Sequence, residues 1–101
     1  MKKTFQLTHP KIKPARLIEA VRRDVKKYLK RERRKSLPEG IDYWDFDCKF
    51  GPTEAKAEII LVSEISKCIS EAEAENLESF YLEILVKPGY KNPKTIITID
   101  T

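Results

Sequence analysis

Three carboxylates are the first candidates for chemistry in this sequence. Asp45 and Asp47 are two residues apart in the run WDFDCKFG, and Glu83 follows in the run SFYLEILVK. Residues two apart share one face of a strand, so neighbouring strands would gather all three. Such a cluster binds Mg²⁺ or works as an acid and base pair. The alternative is an ordinary hydrated strand face. We favour it because exposed carboxylates are common and Lys49 and Lys87 lie nearby to offset them.

Other catalytic arrangements find little support. The single histidine, His9, precedes a proline in a loop and has no predicted nucleophile beside it. The three glycines form no phosphate-binding loop. Cys48 and Cys68 with one histidine fall short of a four-ligand zinc site, and we interpret both cysteines as reduced, buried apolar residues. We therefore predict no catalytic residue, no metal site and no cofactor.

A run of cations is the stronger signal. Seven of the ten residues from Lys26 to Lys35 are Lys or Arg, and only Glu32 offers a partner within the run. Like charges three or four apart on a helix repel by a few tenths of a kcal/mol per pair (roughly 0.2–0.5). An anionic partner, either a phosphate backbone or an acidic protein face, would relieve this repulsion. The alternative, which stays open, is a merely solvated face. The candidate nucleic-acid-binding residues are Arg23, Lys26, Lys27, Lys30, Arg31, Arg33 and Arg34.

The charge is divided along the chain. The net charge is +4, but residues 1–40 hold fourteen Lys or Arg against four Asp or Glu, and residues 41–101 hold six against twelve. This asymmetry predicts two faces with different partners, or self-association of opposite faces. Hydrophobic residues at 41% and charged residues at 36% are typical of globular proteins. No apolar run suits a membrane span and none follows the first lysines as an export signal, so we expect a cytoplasmic protein with no membrane partner.

Hydrophobic periodicity predicts six elements. Strands are expected at Lys3–Leu7, over residues 41–51, at Ala55–Val62 and at Ser79–Lys87, and the third, apolar on both sides, is expected to be central. A helix is expected from Pro14 to Lys35. A second helix is expected from Ser63 to Asn76, with Ser63, Ser66 and Ser70 as candidate N-caps and Asn76 as its end.

This order predicts an α+β fold. It is the βαββαβ order of a two-layer, ferredoxin-like sandwich, an antiparallel sheet with two helices on one face. We expect one domain over residues 1–90 and a tail over residues 91–101, whose β-prone run from Thr95 to Ile99 either adds an extra C-terminal edge strand or stays loose. The side chains expected to face the helices are Trp44, Phe46, Cys48, Phe50, Phe80, Leu82, Ile84 and Val86. Those expected on the open side are Tyr43, Asp45, Asp47, Lys49, Tyr81, Glu83, Leu85 and Lys87.

Two tyrosines on the open side raise the question of base stacking. Tyr43 and Tyr81 resemble the aromatic platforms of RNA-recognition domains, which share this order of elements. Asp45, Asp47 and Glu83 would surround them with negative charge, however, and no matching aromatic and glycine run is present. We therefore expect any nucleic acid on the basic helix and not on the sheet.

Three segments carry a family resemblance. MKKTFQLTHPKIKPAR, KYLKRERRKSLPEGIDYWDFDCKFG and ESFYLEILVKPG resemble a small family of uncharacterised bacterial proteins, a domain of unknown function. The resemblance covers residues 1 to about 91, with WDFDCKFG as its most specific part, and it does not extend to the tail TIITIDT. It implies a small cytoplasmic bacterial domain and brings no activity, cofactor or catalytic residue.

Three functions follow from the sequence. The first is a non-enzymatic binding module that contacts nucleic acid, structured RNA or the ribosome, through the basic helix. The second is a protein-interaction or self-associating module, a monomer or weak homo-oligomer whose basic helix meets an acidic protein surface. The third is a metal-dependent enzyme that uses Asp45 and Asp47.

Overall fold

The computed structural model describes residues 1–91. The strands are β1 (Lys2–Gln6), β2 (Tyr43–Gly51), β3 (Glu58–Ile60) and β4 (Ser79–Gly89). The α-helices are α1 (Pro14–Arg33) and α2 (Ile65–Ala74), with a 3₁₀ turn at Val62–Glu64 directly before α2. The predicted tail strand from Thr95 to Ile99 lies outside the described residues. The order of elements and the α+β class are those predicted.

The four strands form one antiparallel sheet in the order β1-β4-β2-β3. Strand β4 lies between β1 and β2. Its alternate side chains Phe80, Leu82 and Ile84 are completely buried. Since β1 and β2 are each antiparallel to β4, they run parallel to each other with β4 between them. The ferredoxin-like arrangement that we predicted is not confirmed by this strand order.

The prediction that the third strand is central was wrong. It has only three residues and forms an edge of the sheet, with Ile59 83% exposed. Residues 53–57 form turns instead of strand, because the N–H groups of Lys56 and Ala57 donate to the carbonyls of Thr53 and Glu54. Apolar residues on both faces of this segment were therefore not a sign that both faces are buried.

Both helices pack on one face of the sheet around a shared core. Residues three or four apart on α1 and α2 meet alternate residues of β2 and β4, which is how amphipathic helices cover a sheet. The buried core comprises Phe5, Leu7, Ile18, Val21, Val25, Phe46, Cys48, Ile65, Ile69, Ala72, Phe80, Leu82 and Ile84. Trp44 and Val86, also expected in this core, are half-buried and exposed respectively. They lie at the end of the sheet and are absent from this buried cluster.

The ends of the helices differ from their predicted bounds in detail. Helix α1 stops at Arg33, two residues early, with Arg34 as its C-cap. None of the serines caps α2; the residue before it is Glu64, whose carboxylate accepts from the Leu61 N–H at 2.8 Å. The predicted end at Asn76 is confirmed in effect, because Asn76 takes a positive φ of 54° just after the helix.

Candidate functional site

The candidate carboxylate cluster does not form among the described residues, in agreement with the hydrated strand face that we favoured. Asp47 is bound by the Lys87 ammonium at 2.6 Å, and Asp45 accepts a hydrogen bond at 2.8 Å from the backbone N–H of Phe46. Glu83 lies opposite Lys2 and Lys49 on the neighbouring strands, not opposite an aspartate. Within residues 1–91 no group of three metal-ligating side chains occurs. Each of the three carboxylates therefore lies beside a local hydrogen-bond donor or lysine and not beside another carboxylate. The hydrogen bond to Asp47 raises the pKa of Lys87.

Tyr81 is buried, contrary to the prediction that it covers the open side of the sheet. It is 4% exposed, and its hydroxyl donates to Glu83 Oε1 at 2.8 Å. Burial, followed by this contact, raises the pKa of Tyr81 to about 12. Tyr43 keeps its exposure, but its hydroxyl is 3.4 Å from the Tyr90 carbonyl. The open side of the sheet is thus no stacking platform built on Tyr43 and Tyr81.

The prediction of buried, reduced cysteines holds for Cys48 and only in part for Cys68. Cys48 is 1% exposed and belongs to the core, while Cys68 is half-buried, and neither forms a disulfide within the described chain. Burial raises the pKa of the Cys48 thiol to about 11, so it is protonated at neutral pH.

The basic surface is built by α1. Its apolar stripe is buried against the sheet, which leaves the opposite side of the helix in solvent along its whole length. All seven predicted cations have exposed side chains on this helix or at its C-cap: Arg23, Lys26, Lys27, Lys30, Arg31, Arg33 and Arg34. Because they share one rigid helix, the structure brings them together on one surface.

A buried carboxylate lies beneath this surface, and sequence reasoning treated it only as a charge partner. Glu32 is 5% exposed. It accepts a hydrogen bond from Lys35 Nζ at 2.9 Å and lies 3.6 Å from Arg31 Nε. The Lys35 contact, which outweighs the opposing effect of burial, lowers the pKa of Glu32. Its position at a spacing of seven residues from Val25 is the signal that could have revealed its burial.

The basic end of α1 is fixed to the sheet. Trp44 Nε1 donates a hydrogen bond at 2.9 Å to the backbone carbonyl of Lys35, which satisfies a carbonyl just beyond the helix. The guanidinium of Arg33 lies 5.4 Å from the centre of the Phe46 ring, and that of Arg31 lies 5.4 Å from the centre of the Tyr28 ring. These contacts reduce the conformational freedom of the cations, since cation–π pairs are attractive.

The exposed glutamates of α2 form no ion pair with α1 within the described residues. The described part of the chain contains three ion pairs, which join Arg31 and Lys35 to Glu32 and Lys87 to Asp47. The polar contact between the helices uses Arg22, whose guanidinium donates to Ser66 Oγ at 2.7 Å and to Ser70 Oγ at 2.6 Å. Within residues 1–91, the remaining cations of the surface therefore have no carboxylate partner.

Comparison with known proteins assigns a family. A family model described as a family of unknown function (DUF6172) matches residues 1–95. The chain belongs to this family. A search of curated proteins and a search of solved structures each found no match. No helix among residues 1–91 is long and apolar enough to cross a membrane.

Proposed function

We propose that this member of the family is a non-enzymatic binding module whose helix α1 contacts nucleic acid, either structured RNA or the ribosome. One observation carries the proposal. Arg23, Lys26, Lys27, Lys30 and Arg34 are exposed on a fixed helix and, within residues 1–91, form no ion pair. Such a surface attracts phosphates by charge, and its binding releases the counterions that surround a nucleic acid.

Preorganisation supports the same proposal. Glu32 holds Arg31 and Lys35, and the Trp44 contact holds the end of the helix, so less conformational entropy is lost on binding. The carboxylate of Glu32 also neutralises part of the positive charge of Arg31 and Lys35. The main phosphate contacts are then expected from the cations that Glu32 does not bind.

The test is fluorescence anisotropy with a labelled, structured RNA at fixed salt. Lys30→Glu with Arg34→Glu changes four charges on the exposed side of α1, and we expect it to weaken binding by on the order of 100-fold. Lys56→Glu with Lys67→Glu is the matched control, because it makes the same change of net charge at two exposed lysines outside α1. Unchanged affinity in the α1 variant would overturn the proposal.

A second candidate is self-association, or binding to an acidic protein surface. The observation that favours it is on α2, where Glu71, Glu73 and Glu75 are exposed and, in the described part of the chain, make no ion pair. The basic helix of one copy could then meet the acidic helix of another. Sedimentation of the pure protein decides this point. Oligomers that dissociate as salt rises, with no added nucleic acid, would support it, and a salt-independent monomer would exclude self-association.

A further inference from the structure

The exposed cations of α1 form a crest and two flanks. At 3.6 residues per turn, Arg23, Lys30 and Arg34 project opposite the buried stripe, and we call them the crest. The first flank consists of Lys27 and Arg31 with Lys3 of β1, which line one depression beside the helix. The second flank consists of Lys26 and Arg33, which line another depression. Arg34 lines both depressions, as expected of a crest residue.

The dimensions of this surface fit a groove of a double helix. The crest covers eleven residue steps from Arg23 to Arg34, or about 16 Å of helix, and the flanks lie on opposite sides of a helix about 10–12 Å in diameter. The major groove of B-form DNA is about 12 Å wide, and the minor groove of A-form RNA is also wide and shallow. Each flank can therefore face one of the two phosphate strands.

The surface has no platform on which unpaired bases could stack. The one aromatic residue of α1 is Tyr28, which is half-buried, has Arg31 over its ring and has its hydroxyl 3.5 Å from the Ile84 carbonyl. Of the exposed tyrosines of the described chain, Tyr90 lies just beyond β4. Tyr43 of β2 lines a depression with Arg33, but Asp42 and Asp45 also line it and would repel phosphate. Proteins that bind single strands commonly combine cations with exposed aromatic side chains, so the surface of α1 favours a duplex.

The side chains of α1 offer few ways to read base sequence. Arg and Lys can bind guanine in the major groove, but apart from Tyr28 the helix has no side-chain amide or hydroxyl. The helix contains no Asn, Gln, Ser or Thr, and its exposed side chains around the crest are mostly Lys and Arg. Contacts from such cations to phosphate set position and affinity but carry no sequence information. Resting on the proposed function, we infer that α1 binds double-stranded nucleic acid, with a flank on each strand and mainly through phosphates.

The first test compares duplexes with their separated strands. Competition anisotropy at fixed salt uses an RNA duplex of about 16 base pairs, a DNA duplex of the same sequence, a shuffled RNA duplex and the unstructured single strands. We expect a duplex to bind at least about tenfold more tightly than its strands, and shuffling to change affinity less than about twofold. The RNA and DNA arms identify which duplex is preferred.

The outcomes separate the two proposals. Equal or tighter binding of single strands, or strong dependence on the shuffled sequence, would overturn the duplex inference and leave nucleic-acid binding intact. Binding of none of these nucleic acids, in any salt, would overturn the proposed function itself.

The second test removes one flank at a time. Lys3→Gln with Lys27→Gln neutralises part of the first flank, and Lys26→Gln with Arg33→Gln neutralises the second. We expect each pair to weaken duplex binding about tenfold or more and to reduce the preference for a duplex over a strand. Lys56→Gln with Lys67→Gln, two exposed lysines outside α1, should leave both unchanged. An effect from only one flank would contradict contact with both strands.

Discussion

The two helices share one core but present opposite charge to solvent. Helix α1 has twenty residues, and Lys and Arg outnumber Glu19 and Asp24 on its exposed side. Helix α2 has ten, and it exposes Glu71 and Glu73 beside one lysine, with Glu75 at its C-cap. The polar contact between them consists of hydrogen bonds from one arginine of α1 to two serines of α2, and within residues 1–91 no ion pair joins them. The comparison indicates that apolar burial positions the helices, and that within residues 1–91 their surface charges do not pair with each other.

The largest expected effects come from the apolar side that both helices share. Ile18 of α1 and Ile69 of α2 are 4% and 1% exposed. Ile18→Ala and Ile69→Ala are each expected to lower the free energy of unfolding by about 2–5 kcal/mol, because each leaves a cavity. Urea denaturation measures this. Ile59→Ala is the control, since Ile59 is 83% exposed, and should change stability by less than about 0.5 kcal/mol. A small loss at either buried position would show that its helix is not held by the core.

The core was the part of the fold that could be predicted from sequence. Phe80, Leu82 and Ile84 alternate, and Ile18, Val21 and Val25 recur at helical spacing, because burial imposes these periods. The strand order depends on long-range pairing that no local pattern encodes. The strand β3 was predicted, but its length and edge position were not, because an apolar run at an exposed edge looks the same in sequence as one in the centre.

The candidate site likewise has features that local sequence predicts and features that depend on long-range contacts. The cations of α1 could be located from sequence because helical spacing fixes which residues share a side. The burial of Glu32 and the Trp44 contact depend on how the helix end meets the sheet, as does the pairing of Asp47 with Lys87. Local sequence therefore located the surface but not the contacts that hold it.

An intermediate effect is expected at the carboxylate beneath the cations. Glu32→Gln should cost about 1–2 kcal/mol of unfolding free energy near pH 7, because it removes the charged hydrogen bond from Lys35. The pKa of Glu32 is lowered in the folded state. Its contribution is therefore present above the ordinary carboxyl pKa, about 4.3, and is lost as pH falls through the folded value.

Denaturation of both proteins at several pH values between neutral and acidic conditions measures this effect. The stability difference between wild type and Glu32→Gln should shrink as the pH falls. A difference that stays constant would mean that Glu32 does not stabilise the fold as a carboxylate.

A smaller effect is expected where the helices touch. Arg22→Met removes the hydrogen bonds to Ser66 and Ser70 and should lower the free energy of unfolding by about 1 kcal/mol, a value reduced by exposure to solvent. Arg23→Met is the adjacent control, because Arg23 makes no hydrogen bond within residues 1–91. Thermal unfolding compares the two. Equal losses would show that the contact from Arg22 does not join the helices.

The smallest effect on stability is expected from reversing the charge of α2. Glu71→Lys with Glu75→Lys should change the free energy of unfolding by no more than about 0.5 kcal/mol, with a gain favoured because cations suit the C-terminal end of a helix. Chemical denaturation at low salt is the measurement. A loss above about 1 kcal/mol would mean that these glutamates neutralise α1 within the molecule, and the contrast between the helices would fail.

We propose that the cations of α1 are positioned to bind phosphate. The most direct measurement is the affinity of the wild-type protein for an RNA duplex over a range of salt concentrations. If about five phosphates are neutralised, a plot of log K against log salt should have a slope of roughly −3 to −5. A slope near zero, or a slope unchanged in Lys30→Glu with Arg34→Glu, would contradict the claim.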